Sequence, residues 1–238
     1  HEYTQREKEA IVAVLAGIGH GEAYAWLVSS DLIGRVKSTG ARAALTMQVL
    51  EEAKHFLVLR ELVRPFEVPI PRQSAWEYLL MEGVMKAEGV EKLFGMNIDV
   101  EGIALSFFQT LQDLPGLEVL RLFHLDEARH AALPSNYFKE FPLSWAQRNH
   151  PVRRARRLKM ILPALALIPH VEEDLAEIGV DAFEFGGAII RRIAVLSERN
   201  GFAFPLPYDV LLRMLDEGFH LYCRATRRGH RRRAFLSK

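Results

Sequence analysis

Apolar residues recur along nearly the whole chain with the 3.6-residue period of amphipathic helices, and no stretch of useful length alternates with the period of two that marks a half-buried strand. The pattern predicts a first helix from about Thr4 to Lys37, with Ile11, Leu15, Ile18, Trp26 and Ile33 on one face, stopping near Gly40. A second runs from about Ala41 to Arg64 and is closed by Pro65, Pro69 and Pro71. A third helical region starts after Ser74, an N-cap residue type, and continues to about Gln112. About forty unbroken residues would span about 60 Å, so Gly95-Met96-Asn97 is expected to divide it. The fourth begins after Pro115-Gly116 and reaches Ala132, with Pro134 ending or kinking it. Three more stretches follow, about Pro151 to Gly179, Asp181 to Arg199 and Tyr208 to Arg232. No linker composition divides the chain. The expectation is one all-α domain over 1–238, with a helix bundle at about 4–134 and additional C-terminal helices at about 135–238.

Carboxylates fall on the apolar stripes, where they are least expected. In the first helix the series Ile11, Leu15, Ile18 continues to Glu22. In the second, Leu45, Val49, Glu52, Phe56, Leu59 and Leu62 share a face, with His55 one turn from Glu52. The third gives Ile98, Glu101, Leu105, Phe108 and Leu111. The fourth gives Leu117, Leu120, His124, Glu127 and Ala131, with His130 beside Glu127. Four glutamates and two histidines would thus project into one core. Burying four isolated carboxylates costs many kcal/mol, and a pair of divalent metal ions removes that cost. Glu-x-x-His puts both side chains on one helix face, and mixed carboxylate and imidazole donors suit iron, less often manganese. A salt-bridged polar core is the competing explanation.

With 22 Glu and 9 His in 238 residues, chance alone predicts roughly one Glu-x-x-His match. Three occur. The third, Glu217 with His220, lies near the face shared with Arg213 and Arg224 and reads as solvated surface.

On Glu52-Ala53-Lys54-His55-Phe56, Val100-Glu101-Gly102-Ile103 and Asp126-Glu127-Ala128-Arg129-His130, the chain resembles the ferritin-like di-iron carboxylate proteins. Within them it is most similar to the branch of the ribonucleotide reductase small subunit and the bacterial multicomponent monooxygenase hydroxylases. The resemblance covers about Glu22 to His130 and implies a ferritin-like four-helix bundle. It implies Glu22, Glu52, His55, Glu101, Glu127 and His130 as ligands of two iron ions, or of an iron–manganese pair. It further implies that Asp126 orients His55, that Glu51 does the same for His130, and that Arg129 neutralises the acidic surround. His124, one turn before Glu127, resembles the third ligand histidine of the arylamine N-oxygenases, a packed histidine being the other reading. Three departures matter: Leu59 stands where the small subunit has its radical tyrosine, Tyr24 and Met96 where related oxidases have a valine–tyrosine cross-link, and Leu105 where the hydroxylases have threonine. A radical-storing subunit is therefore not expected.

Composition adds limits. One cysteine, Cys223, rules out a disulfide framework and any Cys-rich cluster, and points to a reducing, cytoplasmic setting. The longest apolar run, Met160 to Pro169, is too short to span a membrane. From Trp145 onward there are 17 basic and 10 acidic residues, against 14 and 20 before it. The excess peaks in Arg224, Arg227, Arg228, Arg231, Arg232, Arg233 and Lys238. With Arg153, Arg154, Arg156 and Arg157, these could meet RNA or an acidic carrier protein. The expected function is an oxidoreductase that activates dioxygen at two irons and hydroxylates, desaturates or N-oxygenates a small or carrier-bound organic substrate. Trp26, Phe56, Leu105 and Phe108 would shape its pocket, and electrons would come from an external reductase or ferredoxin. The alternatives are a ferroxidase or iron store and a di-iron tRNA hydroxylase. An oxygenase predicts a monomer or homodimer in solution, and iron storage a large hollow assembly.

Overall fold

The computed structural model describes residues 2–203 and 206–226, and every regular element among them is helical. The elements are α1 (Gln5–Ile33), α2 (Thr39–Val63), α3 (Ala75–Met85), α4 (Val90–Phe94), α5 (Glu101–Leu111), α6 (Leu120–Glu140), α7 (Trp145–Asn149), α8 (Pro151–His170), α9 (Glu172–Glu177), α10 (Ala182–Arg199) and α11 (Tyr208–Thr226). A π-helical turn, Gly95–Val100, joins α4 to α5. Side-chain caps fix the starts. Thr4 and Glu7 close a capping box on α1, Ser38 caps α2, Ser74 accepts from the Glu77 amide at 3.2 Å, and Asp181 caps α10. After α9, Gly179 takes φ 80 while the Val180 amide reaches back to the Leu175 carbonyl at 2.8 Å, an ending that needs a residue tolerant of the left-handed region.

α1 and α2 form one antiparallel hairpin, α5 and α6 another, and α2 lies against α6. Outside them, α3 packs on α8, α9 on α1, and α10 on both α5 and α11. The core is continuous from Ile11 and Leu15 through Phe94 and Phe108 to Ile190 and Phe219. Arg157 ties the C-terminal helices down. Fully buried, it pairs with Glu91 at 3.1 Å, donates to the Arg148 carbonyl at 2.8 Å, and lies over the rings of Phe94 and Phe202.

Several expectations need correction. α6 runs through Pro134 to Glu140, because Tyr137 and Phe138 beyond it pack on the core and Ser135 donates to Asn200 at 2.9 Å. The region from Ser74 to Gln112 is several pieces rather than two, and Pro151 to Gly179 divides at Val171. Trp26 is 39% exposed rather than core. Of the arginines read as a basic surface, Arg157 is inside and Arg153 pairs with Glu91 at 2.5 Å. The arginines from Arg227 onward lie outside the described residues. By length and mean hydropathy (1.5) α1 is long and apolar enough to cross a membrane, although no unbroken apolar run marks it; here 56% of its most apolar window is buried.

Candidate metal centre

The six ligand candidates come from four helices. α1 supplies Glu22, α2 supplies Glu52 and His55, α5 begins at Glu101, and α6 supplies Glu127 and His130. All six are buried, none more than 4% exposed. They converge as two groups, Glu22/Glu52/His55/Glu127 and Glu52/Glu101/Glu127/His130, with the donor atoms of each group within 4.8 Å of one another. Glu52 and Glu127 belong to both.

The shared carboxylates are split between the two rings. Glu127 turns Oε1 toward His55 Nδ1 at 2.9 Å and Oε2 toward His130 Nδ1 at 2.9 Å. Glu52 lies 3.2 Å from His130 Nδ1 through Oε1 and 3.7 Å from His55 Nδ1 through Oε2. Glu22 stands on the His55 side at 3.6 Å, and Glu101 on the His130 side at 3.6 Å. His55 Nδ1 and Glu127 Oε1 are both sealed from solvent, yet neither makes a hydrogen bond despite their separation. The two atoms face common space instead of lining up as donor and acceptor. Buried polar atoms left so are costly unless a cation sits between them, and four N/O donors per group fit a divalent metal.

An outer ring of charge backs the imidazoles. His55 Nε2 meets Asp126 at 3.0 Å, and His130 Nε2 meets Glu51 at 2.8 Å. Arg129 donates to Glu51 at 2.6 Å and Asp126 at 2.5 Å, and Lys54 donates to Asp126 at 2.7 Å. A carboxylate on each Nε2 leaves each Nδ1 facing the centre. Burial pushes Glu22 well above the usual carboxylate range, as does the charge of Glu52, and burial with the charges of Glu127 and Glu52 does the same to Glu101. Burial opposes charge on Glu52 and Glu127 too, but in Glu52 the neighbouring His130 and His55 win, and in Glu127 Glu101 and the two histidines do, so both carboxyls are held low. Burial would lower His55, but Glu127, Glu22 and Glu52 push it up to about 12, and His130 is raised for the same kind of reason.

Two polar residues that the sequence reading passed over complete the site. Gln48, fully buried one turn before Glu52, donates to Glu101 at 2.6 Å and to Glu52 at 3.3 Å. Asn97, on the π-helical turn, donates to Gln48 Oε1 at 2.9 Å and to the His130 carbonyl at 3.1 Å. The signal was available, since Leu45, Gln48, Glu52, His55 and Leu59 form a buried row, whereas Val49 is half-buried. Asp99, on the same turn, is fully buried with both oxygens unpartnered, and burial pushes it up to about 7. His124 is not brought into either group; its Nδ1 faces the Leu105 carbonyl at 3.2 Å. Glu217 is exposed and His220 half-buried, away from the cluster.

An apolar cavity of about 120 Å³ reaches the centre. It touches Glu22, Glu52 and Glu101 but neither histidine, so it opens on the side away from the outer charged ring. Its walls include Ala13, Gly17 and Gly21 of α1, Ala104 and Phe107 of α5, Ala164 and Ile168 of α8, and Phe185 and Ile189 of α10. The C-terminal helices thus form one wall, held close by two glycines. A Cβ on Gly186 would lie 2.3 Å from Ile168 Cδ1, and one on Gly102, beside Glu101, 2.9 Å from Ile193 Cγ1. The residues expected to shape a pocket do not line this one: Trp26 is exposed, Phe56 half-buried, and Phe108 packs edge-on to His55, with ring centres 6.0 Å apart.

Comparison with protein-family models, with curated proteins and with solved structures found no match.

Proposed function

We propose that the chain is a di-iron oxidoreductase built on a ferritin-like four-helix bundle, with the additional C-terminal helices closing its substrate pocket. The observation that carries this reading is the sharing of Glu52 and Glu127 between two imidazoles, each carboxylate offering one oxygen to either ring. Glu22 with His55, and Glu101 with His130, would complete the two metal positions, with iron in both or iron and manganese. When bound, the two ions would supply the redox chemistry by which dioxygen is reduced and an organic substrate hydroxylated, desaturated or N-oxygenated.

The chain's own residues prepare the place for that chemistry. Asp126 and Glu51 fix the tautomer of each histidine, Arg129 and Lys54 balance the outer carboxylates, and Gln48 holds Glu101 by a buried hydrogen bond. The dry cavity on the glutamate side keeps bulk water from a substrate while it lies beside the centre. That apolar lining also favours an organic substrate over iron as cargo, which would need a polar route. Electrons are assigned to an external donor.

Anaerobic titration with ferrous ion followed by exposure to oxygen tests the reading. About two irons per chain and oxygen consumption that disappears in Glu52→Ala and Glu127→Ala are expected. Fewer than one iron bound by the wild type, or iron uptake indifferent to both substitutions, would overturn it.

A further inference from the structure

The cavity's chemistry narrows the substrate. Its lining contains four glutamates, Glu22, Glu52, Glu101 and Glu77, and no lysine, arginine or histidine. Three of them belong to the candidate centre. Glu77 does not: it comes from α3, where Ser74 donates to it at 3.0 Å and His20 Nδ1 lies 2.9 Å away. Everything else around the space is small or apolar. The opening exists because α1 presents Ala13, Gly17 and Gly21 in one row at i, i+4 spacing; a Cβ on Gly21 would meet no atom within 4 Å. Space against that row is therefore left by the absence of side chains, and α8 and α10 cover it instead of filling it. For scale, a dry protein cavity of about 150 Å³ holds benzene, so about 120 Å³ takes one aromatic ring or a chain of roughly six carbons.

We infer that the cavity selects a compact uncharged organic molecule, one ring or about six carbons in size, and rejects anions of the same shape. The inference rests on the di-iron reading for calling that molecule a substrate, but not for its binding. Metal ions would offset the charge on Glu22, Glu52 and Glu101, whereas Glu77 keeps its own. Burial opposes that charge, but His20 and Ser74 hold the Glu77 carboxyl below its ordinary range. An anion entering such a space gives up its hydration and finds no lysine, arginine or histidine on the lining to pair with, while the Glu77 carboxylate repels it. An uncharged ring loses little and gains the apolar walls.

The probes are benzyl alcohol, which is uncharged, and benzenesulfonate, a somewhat larger anion on the same ring and a weak metal ligand, with Glu77→Gln separating charge from size. Calorimetric titration of the full chain at pH 8, metal-free and ferrous-loaded without oxygen, should show benzyl alcohol binding and the sulfonate at least about tenfold weaker. Gly21→Leu fills the space and should weaken benzyl alcohol about tenfold or more, and Ala104→Leu, from the opposite wall, should repeat the loss if the first variant folds poorly. Glu77→Gln should bring the two probes closer together by strengthening the sulfonate. Equal affinity for both probes, or affinity for benzyl alcohol unchanged in both filled variants, overturns the inference. Metal content is read separately by mass spectrometry: a chain that binds benzyl alcohol as described but takes up no iron keeps the pocket and loses the di-iron reading.

Discussion

Around Glu101 and His130 the residues four positions before the shared and terminal glutamates are polar; around Glu22 and His55 they are not. Gln48 and Asn97 gather on the first side, donating in series to Glu101, Glu52 and the His130 backbone. On the second, the corresponding positions are Phe123, stacked on the His55 ring with centres 4.0 Å apart, and buried Ile18. The two halves repeat Glu, then an acidic residue, Glu and a histidine, and differ in the surroundings those ligands receive. Glu101 is held by a hydrogen bond from outside the ligand set, while the contacts that position Glu22 come from within it, from His55 and Glu52. The Glu101 side therefore has buried hydrogen-bond donors behind it, and the Glu22 side has the apolar Phe123 and Ile18.

Substitutions separate these cases. The largest effect belongs to the shared residues: Glu127→Ala should lose both metal ions, whereas Glu22→Ala should lose chiefly one, measured as bound iron per chain by native mass spectrometry under anaerobic conditions. Equal losses would erase the distinction between shared and terminal ligands. Next come the imidazole supports. Asp126→Asn, acting on His55, and Glu51→Gln, acting on His130, should each weaken metal binding about 10- to 100-fold, and competition with a chelator reads the change.

A subtler asymmetry is tested by Gln48→Leu. It removes one of the two acceptors of Asn97 and the Gln48 donor to Glu101, costing about 1–3 kcal/mol of folding stability, and it should loosen the Glu101 position while sparing Glu22. Denaturant unfolding with metal titration checks both parts.

Asp99 gives the most pH-dependent effect, confined to the metal-free protein. Its folded pKa, about 7, lies above the ordinary value of 3.8, so the folded state holds this proton more tightly than the unfolded one. Its contribution is fully present below about pH 4 and is lost as pH rises toward 7. Asp99→Asn should therefore flatten the metal-free protein's loss of stability over that window, gaining at most about 4 kcal/mol above pH 7. Thermal unfolding across pH 4 to 8 measures it.

The helices and the six ligand candidates were legible because both depend on local spacing. An i, i+3 pair shares a face whatever packs against it, and an inward glutamate on an apolar stripe demands compensation. Gln48 and Asn97 escaped because their value lies in contacts 49 and 53 residues away along the chain, to each other and to Glu101. Pro134 misled for a related reason: its local cost is fixed, but packing by Tyr137 and Phe138 carries α6 past it. The cavity was least visible. No local pattern says that α8 and α10 will stand over the Gly17–Gly21 row, so Trp26 was assigned inward where the fold leaves it outside.

The π-helical turn before Glu101 makes chain length itself a determinant of this centre. Gly95–Val100 accommodates residues that an α-helix of the same span would not hold, and such turns are widened helices carrying a surplus residue. Deleting one residue between Asn97 and Glu101 would close the wide turn to an α-helical one and remove the placement of Asn97 that the surplus residue provides, while α4 and α5 on either side are kept. Every ligand would survive in the sequence while the hydrogen-bond series through Gln48 came apart. A single deletion, with no substitution at all, is thus enough to loosen the Glu101 side of the site.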